Sequence, residues 1–270
     1  MFDATSTATG LQRTRGRARV AMADGRLTHL HQEGAAKAML PRMHGRWPEV
    51  VFLNTSGGIT GGDRLDYALD LAPGSRAVGT TQTAERAYRA AGGVGRVRTR
   101  LTLGAGAELH WLPQELILFD GAALERDLQV EMAADATLVM LETLVLGRMA
   151  MGETLTDLHL RDRRAVRRGG RLVLLEPVRM DAADLMRPGT AGLNGARALA
   201  SLSLIAPDAV DRLAGLRRVL PADGVRAAAS VWGGRLTARL VSADAFALRR
   251  CVARAVTFLT RQPLPRVWQI

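Results

Sequence analysis

Apolar and polar residues alternate with a period of two over roughly residues 50–180. Leu65, Tyr67, Leu69 and Leu71 take every second position, and Val97, Leu101 and Leu103 do the same with Thr99 in phase. Leu124, Leu128, Val130 and Met132 continue the pattern, with Arg126 standing where an apolar residue is due; Leu158 and Leu160 follow. Such alternation turns one face of a strand to a core and the other to solvent. Turn-forming runs lie between the strands: Ala72-Pro73-Gly74, Gly104-Ala105-Gly106, Ala133-Ala134-Asp135 and Gly169-Gly170. Three hairpin-like units overlay on one another, starting at Leu69, Leu101 and Val130, 32 and 29 residues apart. A strand–turn–strand unit recurring near 30 residues predicts stacked β layers, each burying its face on the next. An ordinary antiparallel sandwich also spaces its strands regularly.

Helical periodicity comes late. Residues 207–220 put Val210, Leu213, Ala214 and Leu220 near one face, with Asp208 in the first turn. Ser242 is the expected cap of a second helix running to about Arg261, with Leu248, Val252, Ala255 and Leu259 in one stripe and Arg250, Arg254 and Arg261 opposite. Between the two, residues 225–240 predict strands turning at Gly233-Gly234. Residues 181–206 fit neither pattern, because Pro188-Gly189 and Gly192 interrupt an apolar run. No Pro- or Ser-rich linker divides the chain. The expectation is one domain over residues 1–270: all-β dominated, a layered β-solenoid-like sandwich with about two helices toward the C-terminus.

Composition narrows the function classes. Aromatics are 4% of the chain, so Ala, Val and Leu must build the core. The longest apolar stretch, residues 136–147, is broken by Glu142 and Thr143, too short for the roughly 18–20 residues of a membrane span. Residues 1–10 are polar and lack a signal-peptide core. Cys251 is the single cysteine, which excludes an internal disulfide and a cysteine-rich zinc site. These features predict a cytoplasmic protein. The 37 basic residues against 26 acids give a net charge of +11, nearly all of it arginine. Solvated faces account for many arginines; the functional alternative is docking onto an acidic partner or nucleic acid. An arginine-rich nucleic-acid-binding module is the second reading, weakened because the arginines are spread out and not interleaved with stacking aromatics.

The run Asn54-Thr55-Ser56-Gly57-Gly58-Ile59-Thr60-Gly61-Gly62-Asp63 could cradle a phosphate, but Asp63 and Arg64 stand where a P-loop needs Lys-Ser/Thr. A tight bend using positive φ, with Asp63 fixed at its exit, is the better expectation. There is no Gly-x-Ser-x-Gly elbow and no His-Glu-x-x-His. His29 and His31 share a strand face without a third ligand nearby; His44, His110 and His159 are isolated. Glu142 with His110 is the best acid–base pair a hydrolase or isomerase reading can find. The acids in apolar runs are more informative. Glu115 lies in WLPQELILFD, Glu142 interrupts LVMLETLVL and Glu176 ends LVLL. Gln82, Gln114 and Glu142 or Thr143 occupy matching places at the ends of second strands, so stacked layers would align them in an internal file. A buried acid is costly unless paired or hydrated, so each is either bonded to an arginine such as Arg148 or lines a wet cavity.

Taken in order, residues 53–65 (LNTSGGITGGDRL), 80–89 (TTQTAERAYR), 112–121 (LPQELILFDG), 142–153 (ETLVLGRMAMGE), 161–172 (RDRRAVRRGGRL) and 264–268 (LPRVW) resemble the urease accessory protein family UreD, also called UreH. Residues 32–42 (QEGAAKAMLPR) fit as well, and Arg86 stands where the family often has lysine. The resemblance implies a β-rich solenoid-like sandwich with two helices and no catalytic activity. It also implies a cytosolic complex with a helical accessory protein of the UreF type and a GTPase of the UreG type. That complex docks on urease apoprotein and helps deliver Ni²⁺ to its lysine-carbamate site. Nucleic acid and membrane are not expected partners. No metal is expected to be held permanently: Ni²⁺ would be in transit, and carboxylates release it more readily than an imidazole or thiolate cage. Asp63, Glu115, Asp120, Glu142, Glu153 and Glu176 are the acids expected to line such a passage or its mouth, since several weak sites let an ion enter and leave.

Overall fold

A computed structural model describes residues 13–42, 47–187, 189 and 192–269; residues 1–10, His44 and Pro188 of the foregoing readings lie outside them. The chain begins with β1 (Arg15–Ala23), β2 (Arg26–Gly34), β3 (Ala36–Met39) and β4 (Glu49–Asn54). Next come β5 (Arg64–Leu71), β6 (Arg76–Thr81), β7 (Glu85–Ala87), β8 (Gly95–Leu103), β9 (Glu108–Leu112) and β10 (Leu116–Leu118). The central and late strands are β11 (Ala122–Met132), β12 (Thr137–Leu146), β13 (Leu158–Arg168), β14 (Arg171–Asp181), β15 (Ala198–Ile205), β16 (Val225–Trp232) and β17 (Arg235–Ser242). Among the described residues three α-helices interrupt them: α1 (Ala182–Met186), α2 (Leu213–Val219) and α3 (Ala245–Thr260).

Two sheets result. The first has the order β14-β13-β11-β8-β5-β1-β2; the second runs β16-β17-β15-β12-β9-β6-β4-β3, with β10 joining β12 to β7. The recurring units are therefore stacked layers, as expected, but they are not hairpins. In each, the strand before the turn enters the first sheet and the strand after it enters the second. β5, β8, β11 and β13 pair in parallel in the first sheet, and β6, β9 and β12 in the second. Turn chemistry explains this: the turns bond to one another across layers, as Gly74 N–H to Ala105 O and Ala133 N–H to Leu103 O, instead of closing a two-strand ladder.

The overlay of Leu69, Leu101 and Val130 coincides with the ladder register, where the three are neighbours. The rung extends further, from Val20 through Leu69, Leu101, Val130 and Val166 to Leu174, all essentially inaccessible. Burying each such side chain contributes about 1.5–3 kcal/mol, so one in-register stripe does much to hold the sheet in phase. A second apolar cluster lies on the other side of the second sheet, between Leu112, Val139, Leu141 and Leu202 and the helical layer's Leu216, Leu248 and Val252.

The helices depart from expectation in three places. The stretch 207–220 starts as a 3₁₀ turn (Ala209–Arg212) before α2. A 3₁₀ turn has three residues per repeat, so the phase resets: Val210 is 61% exposed, while Ala209, Gly215 and Leu216 are buried. Gly215 is required where α2 crosses α3, since a Cβ there would lie 2.3 Å from Phe258 Cζ. Asp244, not Ser242, caps α3, accepting the Phe246 N–H at 2.8 Å; Ser242 closes β17 and accepts the Asp244 N–H. The third difference is α1 in the stretch that fitted neither pattern, followed by β15. The stripe Leu248, Val252, Ala255 and Leu259 is buried as predicted.

Candidate functional site

The two sheets enclose a file of charged side chains. In β11 the inward positions are Leu124, Arg126, Leu128 and Val130; in β13 they are Leu160, Asp162, Arg164 and Val166, each beside its β11 counterpart. Arg126 and Asp162 therefore share one rung, and Arg164 shares the next with Glu176 of β14. From the opposite sheet Glu142 projects between Met140 and Leu144, 3% exposed. Arg126 Nη2 donates to Glu142 Oε2, and its Nη1 lies 3.3 Å from Asp162 Oδ2. Arg164 donates to Asp162 Oδ2 at 2.6 Å and reaches Glu176 at 3.5 Å. Glu176 also accepts from Ser201 Oγ at 3.0 Å and from Arg239 at 3.1 Å. Trp111 Nε1 completes the shell of Glu142 at 3.4 Å.

Two cavities flank this file and share one lining residue, Glu142. The first, 110 Å³, is bounded by Asn54, Gln82, Glu85, Gln114, Arg126 and Glu142. The second, 250 Å³, is bounded by Glu142, Arg164, Glu176, Ser201 and Arg239. Burial penalises every charge here. It pulls the Arg126 guanidinium down, but Asp162 and Glu142 outweigh it and leave the group more firmly protonated than free arginine. Burial likewise raises Asp162, but Arg126 and Arg164 hold its carboxyl below the usual range. Glu85 has weaker support and burial carries it upward; burial, with the field of Glu85, also raises the Tyr67 phenol. Asp162 Oδ1 and Arg164 Nε are buried without a protein partner, the pattern a small hydrogen-bonding guest such as water satisfies.

Of the six acids expected at a passage, the fold brings Glu142 and Glu176 to the charged file between the sheets and its flanking cavities. Asp63 holds the glycine-rich bend: its two oxygens accept the N–H groups of Thr14 and Thr60, both at 2.8 Å. Gly62 there has φ of 89°, and a Cβ on Gly61 would lie 2.3 Å from Gly92 O, so the run is a packed bend as predicted. Glu115 is bound by Arg249 of α3 at 2.6 Å, beside Gln114, which lines the first cavity and whose amide donates to Val267 O. Asp120 and Glu153 meet each other elsewhere, as Glu153 accepts the Asp120 N–H and is gripped by Arg148. The arginine-paired alternative describes Glu115, Asp120 and Glu153, and equally Glu142 with Arg126 and Glu176 with Arg164 and Arg239; the named partner Arg148 is the one Glu153 uses.

Asp120 is a loop latch. Its Oδ1 accepts the N–H groups of Thr156 and Asp157 at 2.7 and 2.9 Å, and these bonds, with Arg89, hold its pKa down to about 2. A carboxyl lowered on folding stabilises the latch above the unfolded value of about 4 and loses that contribution as pH falls toward about 2. Asp120→Asn should therefore flatten the acid-side rise in amide exchange of residues 154–157 between those pH values. An unchanged profile would remove Asp120 as its cause.

The acid–base alternative fails on geometry. His110 lies in β9 on the face opposite Trp111, stacked 4.5 Å from Trp47, while Glu142 faces the inter-sheet core. Its Nε2 is 3.4 Å from Glu108 Oε1 but without hydrogen-bond alignment. Among the described residues, no three His, Cys, Asp or Glu side chains form a group able to hold a metal ion. None of the described helices is long and apolar enough to cross a membrane. Sequence reasoning missed Asp162, Arg164 and Glu85. The signal for the first two was present, because counting by twos from Leu158 and Leu160 lands on Asp162 and Arg164.

Comparison with known proteins gives a consistent result. A family model described as UreD urease accessory protein matches residues 13–269. A protein named urease accessory protein UreD from Jannaschia sp. (strain CCS1) is 65% identical over 259 residues, 96% of this chain and 97% of its own length. Proteins of the same name from Dinoroseobacter shibae and Paracoccus denitrificans are 54% and 50% identical, covering 96% and 100% of this chain and 94% and 97% of their own.

Proposed function

The chain belongs to the UreD family of urease accessory proteins, and from that premise we propose that it serves urease maturation as a scaffold and conduit for Ni²⁺. In this reading it acts in the cytoplasm, together with a helical accessory protein and a GTPase, on urease apoprotein, and catalyses no reaction of its own. The observation that carries the conduit is the position of Glu142: it is the lining residue common to the two cavities, and Glu176 stands in the second.

Carboxylates suit the task because they bind Ni²⁺ more weakly than imidazole or thiolate and so release it. Isolated, they would not tolerate burial. Arg126 and Arg164 compensate them while no ion is present, and each step of an ion along the file exchanges a guanidinium for a metal on the same oxygen. The paired arginines are thus the resting state of a passage, and the price of opening it is the loss of one ion pair at a time.

Co-expression tests the reading. Cells making urease with its other accessory proteins should yield active enzyme only when this chain is present, and the chain should retain apo-urease and the helical partner in reciprocal pull-downs. Full activation without it would reject the assignment.

A further inference from the structure

The chain carries a net charge of +11, and one rung of the first sheet gathers five of its arginines. Among the described residues the sheet's outer face is left uncovered, the layer of α2 and α3 packing on the second sheet. Across that face one rung reads Arg15, Arg64, Arg96, Glu125, Arg161, Arg179, each residue the ladder neighbour of the next. Five guanidiniums and one carboxylate stand side by side over six strands. Like charges directly opposite on paired strands repel, so the contacts Arg15–Arg64, Arg64–Arg96 and Arg161–Arg179 weaken the free sheet. Glu125 relieves two of the five, bonding Arg96 at 3.0 Å and lying 3.9 Å from Arg161. Arg179 leans on Asp181 at 3.5 Å. The side chains of Arg15 and Arg64 make no ion pair or hydrogen bond among the described residues. Two rungs along, Arg19, Ala68, Arg100, Gln129 and Ala165 contain two more arginines and no acid.

The structure assigns this stripe as the docking site for an acidic segment of a protein partner, lying across the strands. At about 4.8 Å per strand the six positions span roughly 24 Å, the length of an α-helix of about 16 residues. A hollow of 230 Å³ between Arg64, Asp66, Arg96 and Arg98 gives an acidic side chain somewhere to seat. Between two polyanions, a protein fits better than nucleic acid. Asp66, in the adjoining rung, has no ion pair or hydrogen bond among the described residues, a need for donors that a polypeptide's N–H groups meet and a phosphate chain does not. Among the described residues the face carries no Phe, Tyr or Trp on which bases would stack. Since arginine clusters at the centre of interfaces often carry the affinity, the loss from reversing two of them should be large.

The experiment titrates a fluorescent poly-L-glutamate peptide into the full-length chain at low and moderate salt, with single- and double-stranded oligonucleotides in parallel. Arg64→Glu/Arg161→Glu should weaken the peptide at least tenfold. Arg218→Glu/Arg250→Glu, an equal charge change on the helical layer, should change it less than twofold. Arg64→Gln/Arg161→Gln provides the same reading with a gentler change, and because it relieves repulsion its denaturation midpoint should not fall. Equal losses from the two reversals, absence of peptide binding, or tighter binding of either oligonucleotide would overturn the proposal.

Discussion

Glu142→Gln should lower urease activation at limiting nickel by about tenfold while the chain stays folded and still retains apo-urease. The glutamine is isosteric, keeps an oxygen for the Arg126 guanidinium, and leaves Asp162 to hold that arginine from the other side. What disappears is the one negative oxygen pair shared by both cavities. Groups that tune a metal's path commonly cost 10–100-fold when changed, which sets the scale. Excess nickel in the medium should recover part of the activity, because a weaker relay site is offset by mass action. Activation equal to the parent's, with pull-down unchanged, would take the conduit away and leave only the scaffold.

Arg126→Met should destabilise the fold by about 3–5 kcal/mol, the usual consequence of stripping one partner from a buried ion pair. Glu142, whose other donor is a Trp111 N–H at 3.4 Å, is then left without a bonded countercharge, with only the more distant field of Arg164 to offset it. Asp162 keeps Arg164, so the effect should stay on the Glu142 side. At about 2–4 °C per kcal/mol for a chain of this size, the melting midpoint falls by roughly 10 °C. Arg126→Met/Glu142→Leu should regain most of that loss, since an apolar pair can replace a buried ionic one at little cost. Guanidine denaturation of the two single variants and the double variant closes the cycle. Additive losses would mean that the two side chains are not coupled and that the file is a set of independent pairs.

Residues 53–63 and 245–260 illustrate how far local chemistry reaches. Backbone geometry at Gly62 and the apolar stripe of α3 depend on neighbours a few positions away, so both were legible, as were the strand faces and the layered repeat. Glu115 was visible as an acid in an apolar run, yet its partner is an arginine 134 positions away, and Asp120 holds backbone groups 36 and 37 positions on. Helix phase at Val210 failed because one 3₁₀ turn rotates every later residue, a choice made by packing on the second sheet.

The sequence by itself determined which faces of the strands are buried, the spacing of the layers and the family, because side-chain direction in a strand repeats every two residues and each turn announces itself. Only the tertiary structure decided that the strands of a unit part into two sheets, and that Arg126, Glu142, Asp162 and Glu176 converge between them. The same holds for the five arginines that line up on the outer face. Register between strands about 30 residues apart is set by how whole sheets pack, a cooperative outcome that no local pattern encodes.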